Sequence, residues 1–362
     1  MKKYSFLRIY KRHLRISLPT LSQNTFLGNR KKRNVILASI VVIAASGVAF
    51  GIYKTVDYPV SREGRETRVN LMLSVPYGSL TLVSGTEQKN VALLRIESAE
   101  EAMPFHVRYL YNPIGTTGSL RMTIGSDEGM LETNPPLARG WKTNSNFSLA
   151  STNAIHSDYG DISPSPGTFN LMKPPPEIPH DESDHAKVFL TKDIPVSISA
   201  QLGFGESFMD WTGLSLTAAY VETGSAKTEI RLTEHNPIPM SACKINAGFG
   251  EFSMSGISDL NADRFEFFGG VGYYSLNFNG KLTKNLNATV EVGLGKVTIN
   301  IPPEAGRVQI IYDDSFFSSF SFNGLTKRRD GYFTSVGFDQ SLAPILTLHL
   351  SSGLGKMIVN CH

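Results

Sequence analysis

The side chains with the clearest capacity for chemistry are a run at residues 180–185, His-Asp-Glu-Ser-Asp-His, with two imidazoles and three carboxylates in six residues. Both ligand types bind divalent transition metals. A metal site also needs a rigid frame and outer partners that orient the ligands. This run (His180, Asp181, Glu182, Ser183, Asp184 and His185) lies in a polar stretch flanked by prolines. The sequence therefore favours a solvated loop and predicts no metal site.

Catalytic signatures are missing from the sequence, which has neither a Gly-x-Ser-x-Gly turn nor a His-Glu-x-x-His run. Five Gly-x-Gly motifs occur, but none reaches the third glycine of a dinucleotide fingerprint or precedes a helical pattern. Gly295-Lys296 and Gly355-Lys356 lack the upstream glycine and the following Ser or Thr of a P-loop. We predict a non-enzymatic protein with no catalytic residues and no cofactor.

Aromatic side chains and cysteines give weaker signals. The aromatics could form a strip on which a ligand stacks, but the alternation of the last four favours a mixture of core and surface positions. They are Trp211, Phe316, Phe317, Phe320 and Phe322. In an oxidising compartment the two cysteines, Cys243 and Cys361, could form a disulfide. The alternative that we favour is a buried free Cys243 with an exposed Cys361.

The Gly-x-Gly motifs repeat at regular spacing. Their first glycines lie at 203, 248, 270 and 293, and a fifth lies at 353. Half of the first gap predicts a degenerate copy near 225, where Gly224-Ser225-Ala226 stands. One further step from 293 falls near 316 and the next falls near Gly337. A period of ~20–50 residues indicates units that bury their apolar faces against their neighbours.

Alternating residues follow each motif, so the repeat predicts short strands with one buried face. The fold class that we predict is all-β, with exported domains built as a stacked β-solenoid. Glycine at each corner permits close approach of stacked backbones and a positive φ. An earlier β stretch covers residues 67–125, and a region of nearly 60 residues rich in Pro and Ser separates it from the repeats.

Charge is distributed unevenly along the chain. Residues 1–34 hold ten basic side chains and no acidic one, whereas residues 35–362 hold 25 basic and 32 acidic residues, a net charge of −7. Nucleic-acid binding requires basic side chains on the folded domain. We therefore predict no nucleic-acid partner.

A membrane anchor is predicted by residues 35–53, which form an uncharged run of 19 residues. As a helix with a rise of ~1.5 Å per residue, this run spans roughly 28 Å. The basic residues before it predict a cytoplasmic N-terminus and an extracytoplasmic bulk. A cleaved signal peptide is the alternative, but signal peptides are usually only ~15–30 residues long in total. Residues 4–16 could form a basic amphipathic helix on anionic lipid, an organellar presequence or a disordered tail.

The predicted organisation has five parts. A basic cytoplasmic tail covers residues 1–34, and a transmembrane helix covers residues 35–53. An N-terminal β region occupies residues 54–127, and an excursion or linker occupies residues 128–189. The glycine-marked repeat domain then covers residues 190–362.

Several segments of the repeat region carry a family resemblance. Residues 203–210, 269–278, 293–302 and 352–359 hold the motifs GFGESFMD, GGVGYYSLNF, GLGKVTINIP and SGLGKMIV. With them, residues 195–362 resemble the toastrack-type domain of bacterial membrane proteins. This group includes LiaF-like regulators and the cell-wall-active antibiotic response proteins. Residues 67–125 are similar to the N-terminal portion of the same group.

The resemblance implies a non-catalytic domain that serves sensing, regulation or envelope assembly. LiaF-like regulators usually carry several membrane helices, whereas this sequence predicts one. We therefore expect a single-pass protein of the bacterial inner membrane, with lipid contacts through residues 35–53 and the basic tail. We also expect an envelope protein partner or self-association. The alternatives are a regulator of an envelope stress response and a carbohydrate- or metal-binding module.

Overall fold

The computed structural model describes residues 54–85, 89–98, 103–125, 185–313 and 317–362. The described residues form an all-β fold, as the sequence predicts, with strands in one continuous sheet and three short 3₁₀ turns. The predicted membrane segment, the basic tail and most of the excursion lie outside them. Among the described residues, no helix has the length and apolar character needed to cross a bilayer.

The strands fall into two series. The first is β1 Lys54–Ser61, β2 Arg68–Tyr77, β3 Ser79–Ser84, β4 Asn90–Ser98, β5 Phe105–Asn112, β6 Thr117–Ile124 and β7 His185–Leu190. The second is β8 Val196–Asp210, β9 Leu216–Arg231, β10 Cys243–Ser255, β11 Arg264–Asn277, β12 Leu286–Ile301, β13 Arg307–Asp313, β14 Ser318–Asn323, β15 Leu325–Arg329, β16 Tyr332–Ser335 and β17 Ile345–Cys361.

Each long strand of the second series is one rung with two legs that meet at a corner. In β11 the buried positions are Phe265 and Phe267 before the corner and Tyr274 and Leu276 after it. The buried set thus changes from odd to even numbers, so both legs face the same core. The rings of Phe267 and Tyr274 meet edge-on, with centroids 5.2 Å apart. Successive rungs are parallel and in register, so each apolar side chain stacks on its equivalent.

The spacing of the sequence repeats predicts most of the rungs. Gly224-Ser225-Ala226 is the corner of β9, in register with the corners of β8 and β10. The repeat predicted near residue 316 is also confirmed, because β13 and β14 form the two legs of a rung before and after that residue. The step near Gly337 is wrong. Gly337 starts a 3₁₀ turn after the β15–β16 hairpin and lies outside the ladder.

The order of the rungs in space differs from their order in sequence. The last strand, β17, pairs with β12 on one side and with β13 and β14 on the other. The chain therefore leaves a gap after β12, builds the outer rung, and returns to fill the gap with β17. A constant sequence period cannot detect this insertion, because the period records the size of a rung and not its neighbours.

The first series continues the same stack. β2 and β3 pair with the two legs of β8, with Gly78 at their corner. β6 and β7 pair in parallel with β2 and β3, and form the next rung. β5 and β4 then pair antiparallel with β6 and β7, and β1 pairs antiparallel with β4. The two β regions that we placed in separate domains thus share one sheet, and all of β7 except Leu190 lies in the range 128–189 assigned to the excursion.

Candidate functional site

The corners of the stack are built around glycine because each corner lies directly on the one before it. A Cβ on Gly272 would lie 2.0 Å from the carbonyl oxygen of Gly250, and one on Gly295 would lie 2.0 Å from that of Gly272. Gly295 also has a φ of +142°, which side chains of L-residues rarely adopt. The expectation of close backbone approach and positive φ at the corners is therefore confirmed.

The middle residue of each corner points outward and forms an exposed row, which we call the corner ridge. Phe249 is 63% exposed and Val271 is 40% exposed, although both lie within regular ladders. At one end of the row the rings of Tyr77 and Phe204 are stacked with centroids 5.6 Å apart. The corner ridge consists of Tyr77, Phe204, Ser225, Phe249, Val271, Leu294, Leu354 and Phe317.

All members of the corner ridge except Ser225 are apolar or aromatic, and these are 40–70% exposed. Strands lie ~4.8 Å apart, so a row with seven intervals is about 34 Å long. Large contiguous apolar patches on proteins usually mark interaction sites. The corner ridge is therefore the first candidate interaction surface.

A second row, beside the corner ridge on the later leg, carries mixed charge. Lys227 and Glu206 lie on adjacent rungs with their charged atoms 3.7 Å apart. Its other members are Glu251, Tyr273, Lys296 and Lys356. Tyr273 is 68% exposed and adds an aromatic ring next to the ridge. With three lysines against two glutamates, the row has almost no net charge.

An asparagine ladder runs along the far end of the later legs. The Nδ2 atom of Asn300 donates to Oδ1 of Asn277 at 2.7 Å, and that of Asn360 donates to Oδ1 of Asn300 at 2.9 Å. Asn323 of β14 donates to Asn360 at 2.8 Å and ends the ladder. Stacked amides of this kind add hydrogen bonds between identical positions of parallel strands. They are a second candidate surface, because the ladder stops at the edge of the sheet.

An ion pair starts the same row at its other end. Arg231 donates a short hydrogen bond to the carboxylate of Asp210, and the backbone N–H of Thr212 donates to it at 3.0 Å. Burial alone raises the pKa of Asp210, but these hydrogen bonds outweigh it and hold the pKa below its usual value. The guanidinium of Arg231 also lies 5.1 Å from the ring centroid of Phe208. The ion pair therefore links the ends of the later legs of β8 and β9.

Of the metal-ligand run, only His185 lies among the described residues. It begins β7, and its Nε2 lies 2.9 Å from Oγ1 of Thr81 on the neighbouring strand. Burial, and then the charge of Lys187, lower the pKa of His185, so the ring is neutral at pH 7. No group of three or more His, Cys, Asp or Glu residues among the described residues is placed to hold a metal. The prediction for residues 180–184 stays untested.

The aromatic strip is not a single surface. Trp211 is fully buried and belongs to the core, so it cannot stack a ligand. Phe320 and Phe322 are half-buried and pack against Tyr312, with centroids 4.8 and 5.1 Å apart. Phe317 is 70% exposed, while Phe316 lies outside the described residues. The interpretation as mixed core and surface aromatics fits these placements.

The two cysteines are free thiols. Cys243 is buried as expected, and burial raises its pKa, so the thiol is protonated and inert. The expectation of an exposed Cys361 is wrong, because Cys361 is only 8% exposed. It ends β17, pairs with Ile301 of β12, and its side chain belongs to the hydrophobic core.

Sequence reasoning missed both surfaces, although each leaves a signal. The glycines of the Gly-x-Gly motif predict the corners of the rungs, whereas the residue between them forms the corner ridge. The asparagines lie five residues after the second corner glycine in three rungs: Asn277, Asn300 and Asn360. A repeat alignment by corner position would have revealed the shared offset.

Comparison with known proteins identifies the domain. Residues 161–255 match the family model described as the N-terminal domain of toast_rack, DUF2154. The match covers β7 to β10 and part of the excursion. It does not include residues 67–125, whose similarity to the N-terminal portion of the group stays a prediction.

Two solved structures are similar over much of the chain. A candidate cell adhesion protein of Clostridium sporogenes shares 15% identity over 86% of this chain and 100% of its own, with a TM-score of 0.38. A candidate adhesin of Bacteroides fragilis shares 11% identity over 85% of this chain and 96% of its own, with a TM-score of 0.32. No curated protein matches this chain. The family match includes the first of the four glycine-marked segments, residues 203–210, and shows that the chain carries a toastrack-type domain there.

Proposed function

We propose that this protein is a non-enzymatic envelope protein anchored in the bacterial inner membrane, whose β domain is a structural or protein-interaction module. Residues 35–53 form the single-pass anchor, the basic tail lies on the cytoplasmic side, and the β stack is extracytoplasmic. The uncharged run, its flanking charges and the toastrack-type domain support this proposal.

The observation that carries the interaction role is the open edge of β14. In the described part of the chain, β14 pairs with β17 on one side and no strand pairs with its other side. Its sequence, Ser-Ser-Phe-Ser-Phe-Asn, contains neither a charge nor a proline. Natural proteins usually protect an edge strand with such residues, or use it to bind another strand.

The later legs of the rungs form one continuous run of paired strands. At the opposite end of this run the edge strand is protected against the addition of another strand. The edge strand β1 contains Pro59, and Asp57 accepts two hydrogen bonds from Arg95 at 2.7 and 2.8 Å. Proline removes a donor from the edge, and charged side chains oppose the addition of a strand. The contrast between the two ends favours β14 as the docking edge.

The asparagine ladder gives this edge a chemical preference. Asn323 is the last amide of the ladder and donates through Nδ2 to Asn360, which leaves its side-chain Oδ1 as the acceptor at the open edge. An incoming parallel strand with Asn or Gln at that register would continue the ladder. The partner that we propose is an extended segment of an envelope protein or of a second copy of this chain.

Crosslinking with mass spectrometry of the full-length protein in native membranes tests this edge. The informative variant is Ser321→Lys, which places a charge on β14. Its matched control is Ser275→Lys, in the same row on the central strand β11. We expect crosslinks from residues 318–323 to a strand of another chain, lost in S321K and retained in S275K.

Survival of those crosslinks in S321K would contradict docking at β14. Capture of lipid alone, together with turnover of a substrate by the purified protein, would overturn the non-enzymatic proposal as a whole. Protease added to intact spheroplasts tests the topology. We expect digestion of the β domain and survival of a small tail-plus-anchor fragment, whereas full protection would contradict export.

A further inference from the structure

The chain enters the described fold in line with the corners of the stack. β1 starts at Lys54, which pairs with Ser98 at the end of β4. β4 pairs with β7, and β7 with β3, in a register that aligns Glu97 with Ser79, so that Ser98 comes level with the corner glycine Gly78. Lys54 therefore lies in the row of corner glycines, three strands or ~14 Å from the rung whose corner begins the ridge.

No linker separates this entry point from the proposed anchor. The uncharged run ends at residue 53, and Lys54 is already the first residue of a strand. A membrane helix over residues 35–53 ends at the outer headgroup layer, because it has little length to spare beyond the hydrocarbon core. With this anchor in the bilayer, the row of corners would start at the membrane surface.

We propose that the corner ridge lies along the outer surface of the same membrane, with its apolar side chains at the boundary of headgroups and acyl chains. This inference rests on the membrane anchor of the proposed function and adds the surface that faces lipid. The stack then lies on its corners, and the open ends of its legs point away from the bilayer.

The chemistry of the ridge suits such a boundary. Tyr77 of the ridge, and Tyr273 of the charged row beside it, have an apolar ring with a polar tip. Side chains of this type are enriched at membrane interfaces. Phe249, Leu294 and Leu354 supply purely apolar groups that are 44–63% exposed. The row beside the ridge has nearly balanced charge, so binding should depend on apolar contact and not on anionic lipid.

The anchor also explains how a narrow ridge can suffice. A single row of half-exposed side chains gives a free domain little affinity for a vesicle. Covalent attachment at Lys54 makes the contact intramolecular, and the effective concentration of lipid surface is then high. The ridge sets the orientation of the domain, while the anchor supplies the attachment.

Either of two other occupants would also cover the corner ridge, and the experiment below distinguishes both of them from lipid. The segment 126–184 leaves the stack after Gly125 and returns at His185, both at a corner. A second copy could also pack ridge against ridge. In both cases the ridge would be shielded from water without contact with lipid.

The test uses the full-length protein in vesicles of zwitterionic phosphatidylcholine that carry nitroxide-labelled acyl chains. Leu294→Cys carries an environment-sensitive fluorophore, and Asn287→Cys is the control on the same strand, seven residues or ~23 Å away. Both native cysteines are buried and so are poor targets for the label. We expect a blue shift and loss of most of the fluorescence at 294, and neither at 287.

Each outcome decides the inference. A label at 294 that remains as water-exposed as the one at 287 overturns it, and so does a blue shift at 294 without quenching by the lipid nitroxide. Flotation of the same samples after alkaline extraction separates the two proposals. Protein that stays with the vesicles without quenching at 294 refutes only the ridge, whereas protein that is released refutes the anchor itself.

Discussion

The two series of strands solve the same packing problem with different corners. In the long strands of the second series, β8 to β12 and β17, each corner is three residues long and lies directly on an equivalent corner, so glycine is required where a Cβ would meet a carbonyl oxygen. In the first series the rung of β6 and β7 has residues 126–184 in place of a corner. Glycine periodicity is therefore a property of stacked corners and not of the legs.

The legs behave alike in both series. Leu71 and Leu73 of β2 are buried in register with Ile198 and Ala200 of β8, although the β2–β3 corner keeps only one motif glycine, Gly78. Apolar side chains at alternating positions are enough to continue the sheet across the junction. The corner thus controls what can be inserted or exposed, while the legs control whether a rung can be added.

The largest effect should come from a side chain in a stacked corner. Gly295→Val adds a Cβ 2.0 Å from the carbonyl oxygen of Gly272 at a φ of +142°. We expect the free energy of unfolding to fall by about 1–3 kcal/mol, from crowding and backbone strain. Urea unfolding followed by circular dichroism measures this loss. Ala226→Gly at the equivalent corner is the control, and equal losses in both variants would disprove the stacking argument.

A comparable loss is expected where one buried amide, between β9 and β10, joins the start of β9 to the 3₁₀ turn after β10. Asn236 is 1% exposed, and its side chain bonds Leu216 through both backbone groups and Leu260 through its carbonyl. Asn236→Ala leaves these groups without partners, at a cost of about 1–3 kcal/mol. Thermal unfolding of this variant can be compared with Asn287→Ala, an exposed site. Indistinguishable midpoints would show that the amide is dispensable.

In the first series, the corresponding polar anchor is a buried carboxylate that makes stability depend on pH. Glu66 is 6% exposed and accepts hydrogen bonds from Glu63 N at 2.6 Å, Gly64 N at 2.9 Å and Tyr109 Oη at 2.7 Å. Burial raises the pKa of Glu66, but the hydrogen bonds outweigh it and lower the pKa. Its contribution is therefore complete above the unfolded pKa of ~4.3 and is lost as pH falls through the folded value.

Glu66→Gln should accordingly lower the free energy of unfolding at pH 7 by about 1.5–3 kcal/mol, the range for hydrogen bonds to a charged group. The difference from the native protein should narrow below about pH 4. Urea titrations at a series of pH values measure both. A difference that stays constant with pH would mean that the charge of Glu66 does not stabilise the fold.

The smallest effect is expected at the corner ridge. Phe249→Ser removes a side chain that is 63% exposed, and Ser225 already occupies the equivalent position in β9. We expect a change in stability within about 0.5 kcal/mol, as for an ordinary surface site. Chemical unfolding measures it, with Phe252→Ser in the core of the same strand as the contrasting variant. A large loss for F249S would mean that the ridge is part of the core.

The repeats were accessible from sequence because a stacked corner imposes its own period. That period located Gly224-Ser225-Ala226 and the rung around residue 316. It failed at Gly337, because the β15–β16 hairpin lies between β14 and β17 and lengthens the step to the next corner, which is at Gly353. The pairing of β2 with β8 could not be predicted either, since legs carry only alternation, which many registers satisfy. Burial of Trp211 could not be predicted from the sequence either, because it depends on which strands and turns pack around its side chain.

The central claim is that both series form a single stack whose corners share one row. Its most direct test is disulfide formation between Tyr77→Cys and Phe204→Cys, which pair directly across the junction. Adjacent strands at ~4.8 Å allow a disulfide, whereas a partner ~10 Å further along the strand does not. We predict rapid crosslinking of 77 with 204 under mild oxidation, and none of 77 with Gln201→Cys. No crosslink at 204, or equal crosslinking at 201, would contradict the shared register.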